Sequence, residues 1–128
     1  MKILGELSYT EGHEWIRQEN GEIVEGITDY AQSELSDIVY LELPEESIEV
    51  HKGEAIGTIE AVKTVSDLYA ALSGTIVAVN RELEDHPELI NKDPYSAGWI
   101  VRIKISDPEE LESLLDATEY KELIENEE

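Results

Sequence analysis

The 128-residue sequence sets nine lysines and arginines against 31 aspartates and glutamates, for a formal net charge of −22, and has no cysteine. Disulfides, thiol nucleophiles and thiolate metal sites are excluded. So is a phosphate-binding surface, because nucleic acid and anionic membranes both require positive charge. The length fits one domain that needs no metal or disulfide to fold, and no apolar run nears the ~20 residues of a membrane span. The first five residues turn polar at Glu6, with neither a signal-peptide pattern nor an Arg-rich transit segment. A cytoplasmic protein is therefore expected. The acidic surface keeps the chain soluble and would speed encounter with enzymes that carry basic patches.

In chain order, residues 7–17 read as a first strand with its aromatics turned inward, and Glu19-Asn20-Gly21 as a turn. Residues 22–28 alternate, with Ile23, Glu25 and Ile27 on one side and Val24 and Gly26 on the other. Thr28 or Asp29 caps a short helix over 30–35. Residues 37–43 are the most strand-like run, stopped by Pro44, and 47–51 form a short strand.

Two extended segments, 55–60 and 65–71, then flank Ala61-Val62-Lys63-Thr64 and read as a β-hairpin, followed by a turn at Ser73-Gly74 and a strand over 75–79. Lys63 falls at the hairpin tip, pointing away from its own domain, with Val62 and Val65 expected to pin the strands beneath it. Gly57 and Gly74 bracket it where close backbone approach would be useful. A solvated turn lysine is the plainest account of this position, since lysine is seldom buried. A lysine presented to another protein is the sharper one.

Residues 87–90 suggest one helical turn, 91–98 a loop, and 100–105 a last strand. Asp107-Pro108 opens a helix with Leu111, Leu114 and Leu115 on one face; Thr118 caps a second, and the acidic tail 125–128 frays. About eight short strands followed by helices predict a mainly β fold, a flattened barrel or sandwich of antiparallel strands with a short internal helix and C-terminal helices. His13, His51 and His86 lack any metal-ligand spacing, and there is no G-x-S-x-G, P-loop or G-x-G-x-x-G. His13 and Glu14 do not form an acid–base pair, because adjacent strand residues face opposite ways.

The stretch IEAVKTVSDLYAALSG, residues 59–74, resembles the attachment segment of the glycine cleavage system H-protein family. Tyr9 with His13-Glu14-Trp15, the run from Gly26 to Gln32, Asp37-Ile38-Val39-Tyr40, Glu42-Leu43-Pro44-Glu45, Pro87 to Asn91 and Asp93-Pro94 to Trp99 match further family motifs in order. The resemblance covers about Tyr9 to Tyr120. Biotin carriers place Met on both sides of the lysine, and lipoyl domains of 2-oxoacid dehydrogenases usually place Asp before it. Val62 and Thr64 fit neither.

The resemblance implies a single lipoyl-carrier domain over 1–128, with a core over about 7–105 and helices over about 107–125, that is not itself an enzyme. It implies lipoate as the cofactor, joined by an amide to Lys63, with Glu60 and Asp67 helping the lipoylating enzyme recognise the hairpin. Glu14 and Asp67 fall where the family shelters the amine of the carried aminomethyl group. The implied partners are a PLP-dependent glycine decarboxylase, a tetrahydrofolate-dependent aminomethyltransferase and a dihydrolipoyl dehydrogenase, met by a monomer. Service to another lipoate-dependent pathway (sulfur oxidation or lipoyl relay), or an unmodified acidic interaction domain, are the alternatives. Five positions depart from the family: Ser36 and Ser47 at or near usual glycines, Gly12 where some members have Ser, Ala61 for Ser and Ala71 for Pro.

Overall fold

The computed structural model describes residues 2–127. Nine strands are found among them: β1 (Ser8–Tyr9), β2 (Glu14–Glu19), β3 (Glu22–Ile27), β4 (Ile38–Glu42), β5 (Glu49–Val50), β6 (Ala55–Ala61), β7 (Val65–Tyr69), β8 (Gly74–Val79) and β9 (Val101–Ile105). They form two antiparallel sheets, a six-stranded one in the order β1-β2-β3-β9-β8-β5 and a three-stranded one in the order β4-β6-β7. The sandwich form of the expected architecture is therefore the one adopted; the sheets do not close into a barrel.

Alternation along the strands explains the layers. Ile16, Ile23 and Ile27 join Leu41, Ile59, Leu68, Ile76 and Ile103 in the core between the sheets. Tyr9, Trp15 and Val24, on the opposite face of the large sheet, pack with Tyr30, Tyr95, Tyr120 and Ile124. The large sheet is thus covered on both faces. Asn20 and Gly21 both have positive φ, 49° and 81°, as a tight turn between twisted strands requires.

Several local expectations need correction. The predicted first strand is two, because His13 takes positive φ (68°) and breaks the run between Tyr9 and Glu14. Thr28, not Asp29, caps helix α1 (Asp29–Leu35), its side chain accepting from the Ala31 N–H. Residues 81–85 contain a short helix, α2 (Glu82–Asp85), and the turn expected over 87–90 is α3 (Leu89–Lys92). The first C-terminal helix is a 3-10 helix, Pro108–Ser113, capped by Asp107 as expected. The second, α4 (Ala117–Glu127), begins after Asp116 rather than at Thr118. Asp116 and Glu119 exchange side-chain-to-backbone bonds of 2.8 and 2.9 Å, a capping box. The expected fraying of 125–128 does not hold through Glu127, which is helical; Glu128 lies outside the described residues.

Ser36, after α1, takes φ 64° and ψ −147°. A side chain is strained there, and glycine is not. Asn91 overdetermines the turn: its amide donates to Ser36 O at 2.8 Å, and its oxygen accepts from the Ile38 N–H at 3.0 Å. Replacing Ser36 with Gly is expected to stabilise the fold by about 1 kcal/mol, relieved strain outweighing added unfolded-state entropy. The shift of the urea midpoint measures it.

Candidate functional site

Lys63 sits at the apex of the β6–β7 hairpin and is exposed. The hairpin is firm because β6 is the central strand of its sheet, paired to β4 on one side and β7 on the other. Gly57 lets β6 pass close to β4: a Cβ there would lie 2.3 Å from Glu42 O. At the tip the Ala61 N–H donates to Thr64 O at 2.8 Å, and the Val62 N–H donates to Asp37 O at 3.0 Å. Those backbone bonds hold the tip. Val62 and Val65 do not pin it from beneath, being 72% and 57% exposed. Apolar side chains are simply left uncovered on either side of the lysine. No carboxylate pairs with the Lys63 ammonium among the described residues. An acyl group attached to its Nζ would therefore break no ion pair and meet open surface, so the residue fits an attached lipoyl group.

Glu60 lies on β6 next to the tip, and Asp67 on β7 opposite Thr58; both are exposed. A cleft of about 200 Å³ runs beside β7, lined by His13 and Glu14 at the start of β2, Tyr30 and Glu34 on α1, and Asp67 and Tyr69 on β7. Glu14 and Asp67, assigned to one cleft by resemblance, do line one cleft. Asp67 sits at its rim, where the Tyr69 hydroxyl donates to it at 3.4 Å. Glu14 is 6% exposed and accepts from the Thr10 hydroxyl. Burial pushes its pKa up, opposed by that hydrogen bond and by His13. His13 turns the other way. Its Nδ1 is 2.8 Å from the Tyr120 hydroxyl and its Nε2 3.2 Å from Glu127, so it ties α4 to the sheet and makes no pair with Glu14. Gly12 keeps the floor open, since a Cβ there would come within 3.0 Å of Glu14 Oε2.

Sequence reasoning missed Tyr30, Glu34 and Tyr69 as lining residues, and it missed Glu25. The last had a signal: an acid on the isoleucine side of β3. Glu25 is completely buried, its Oε1 accepting from the Ala71 N–H at 3.0 Å and its Oε2 without a partner. Burial, reinforced by the nearby Glu14 charge, raises its pKa well above the ordinary 4.5.

A model of the family described as "Glycine cleavage H-protein" matches residues 7–127. The chain belongs to the glycine cleavage H-protein family. Glycine cleavage system H proteins from two strains of Staphylococcus epidermidis are each 52% identical over 124 residues, which is 97% of this chain and 98% of theirs. A crystal structure of a glycine cleavage system H protein from Mycobacterium marinum superposes with a TM-score of 0.83 at 40% identity, covering 94% of this chain and 97% of that one. This H-protein family is lipoate-bearing in general, and the exposed, unpaired Lys63 agrees with it.

A carboxyl whose pKa is raised on folding binds its proton more tightly in the folded state, so its contribution to stability is present at low pH and lost as pH climbs. For Glu25 the loss starts near 4.5 and continues until its folded-state pKa is passed. Wild-type stability measured by denaturant titration should therefore fall over that window relative to Glu25→Gln, by up to ~1.4 kcal/mol per pH unit for one proton. Parallel pH profiles for the two proteins would contradict the assignment.

Proposed function

We propose that this protein is the lipoyl carrier of a glycine cleavage system, with lipoate joined by an amide to Lys63. In an H-protein family member, the apex of a doubly supported hairpin holds an exposed lysine that has no ion-pair partner among the described residues, and this supports the reading most. Bound lipoate supplies the reactive sulfurs that a cysteine-free chain lacks. The chain itself is a carrier and not an enzyme. Its residues 1–128 act as one unit, a cytoplasmic monomer, and present the arm to a PLP-dependent glycine decarboxylase, a tetrahydrofolate-dependent aminomethyltransferase and a dihydrolipoyl dehydrogenase.

Each residue has a share in this role. Backbone bonds at Ala61 and Val62 hold Lys63 outward for the lipoylating enzyme. Glu60 and Asp67 offer that enzyme carboxylates near the lysine, and complementary charge favours encounter over long residence. Glu14 and Asp67 face a cationic amine from two sides of the cleft, and an adjacent anion favours the charged form of such an amine. The cleft walls limit water around it.

The direct test is glycine oxidation reconstituted with purified partner enzymes and lipoylated carrier. Lys63→Arg should abolish turnover while the protein stays folded; turnover at the wild-type rate would overturn the proposal. Activity only with a different lipoate-dependent system would reassign the partners and keep the carrier.

Glu14→Gln and Asp67→Asn should each shorten the lifetime of the carried aminomethyl group about tenfold. That is the worth of one charge-assisted bond, ~1.5 kcal/mol. Release of formaldehyde from loaded carrier measures it.

A further inference from the structure

Glu14 and Glu25 are neighbours in a way their sequence separation hides. In the β2–β3 ladder Glu14 stands opposite Ile27 and Ile16 opposite Glu25. The two carboxyl residues are thus diagonal neighbours on one face of the sheet, at a spacing that long side chains bridge. It is the core face, shared with Ile16, Ile23 and Ile27. Glu14 is at the edge of that face, lining both the cleft beside β7 and an adjoining hollow formed with Gly53, Ala70 and Ala71. Glu25 is behind it, sealed from solvent.

Among the described residues no basic side chain pairs with Glu25. β9 places Val101 opposite it, and the segment after β7 places the buried Ala70, Ala71 and Leu72. The titratable groups nearby are on Glu14's side: His13, Glu34 and Asp67 line the cleft, and Lys52 the hollow. An unpaired buried carboxylate is far costlier than a neutral acid, and two carboxyls this close do not both ionise readily. Oε1 is taken up accepting from Ala71, which leaves Oε2, the unpartnered atom, as the place for the proton.

We propose that Glu25 is a positioning residue of the cleft: as a neutral acid it clamps the Ala71 backbone behind the carrier strand and leaves Glu14 as the single anion of the pair, so that the cleft suits a monocation. The proposal rests on the sheltering role given to Glu14 above. It also accounts for Ala71. Proline, usual in the family at this position, has no N–H to give, so Glu25 and Ala71 form a matched pair in this chain.

Two measurements on the unloaded protein test this whether or not Lys63 proves to be the attachment site. The first follows the side-chain carboxyl carbons by NMR as pH is raised. Glu25 should keep its proton well past the ordinary carboxylate range, and Glu14→Gln should bring the Glu25 midpoint down. A Glu25 that ionises in the ordinary range, or a midpoint indifferent to Glu14→Gln, would overturn the pair. The second is a double-mutant cycle. Ala71→Pro should lower the denaturation midpoint in the wild type and by much less in a Glu25→Val background. Equal losses in both would overturn the clamp. On loaded protein, the pH profile of release of the carried group should differ between wild type and Glu25→Gln over the window in which Glu25 ionises; superimposable profiles would overturn its influence on the cleft. If the arm does not load at all, the carrier reading fails, and the two measurements on the unloaded protein still decide the pair.

Discussion

The presentation of Lys63 depends on β6 being paired along both edges. A tip lysine on an isolated two-stranded hairpin would sample many directions, since such hairpins are marginal in water. Here β4 supports the strand that leads to Lys63, and β7 leads away from it. Gly57 permits that support by admitting the Glu42 carbonyl where any side chain would collide. Val62 then reaches Asp37, at the start of β4, through its N–H. The lysine is free because the backbone beneath it is not.

The same economy governs charge. Most of the 31 acidic residues are solvated and serve solubility and encounter. Among the described residues two are withdrawn from water, both on the inner face of the large sheet, Glu14 lining the cleft and Glu25 behind it. A carboxyl in that setting is either a partner for an arriving cation or a neutral hydrogen-bonding group. Glu14, at the edge with the Thr10 hydroxyl beside it, suits the first role. Glu25, sealed and bonded to one backbone N–H, suits the second. β7 connects the two ideas, since it leaves the lysine tip, borders the cleft through Asp67 and Tyr69, and ends at the segment Glu25 holds.

Much of this was legible in the chain. The inward and outward residues of β3 were separable by alternation alone, and Asn20-Gly21 announced its turn. The carrier hairpin was visible as two extended runs around Lys63, though only the family resemblance distinguished its lysine from any other on the surface. What failed had local causes. The break between β1 and β2 depends on positive φ at a histidine, which no pattern of hydrophobicity encodes. Val62 and Val65 do not pin the strands beneath the lysine as expected, because a tip this tight leaves both side chains in solvent. Barrel and sandwich were indistinguishable because strand alternation specifies a buried face and not which strands meet at the edges. The cleft residues on α1 depend on how that helix docks, a tertiary matter. Glu25 was placed on the correct side of its strand, and an acid among isoleucines was the clue to its buried state.

The carrier role stands or falls with lipoate attachment at Lys63. The most direct measurement is the intact mass of the purified protein after incubation with lipoate, ATP and a lipoate ligase, followed by peptide mapping. A single lipoyl addition, carried by the peptide containing Lys63, is expected. A folded protein that gains no mass while a control carrier is modified, or one modified at another of its six lysines, would contradict it.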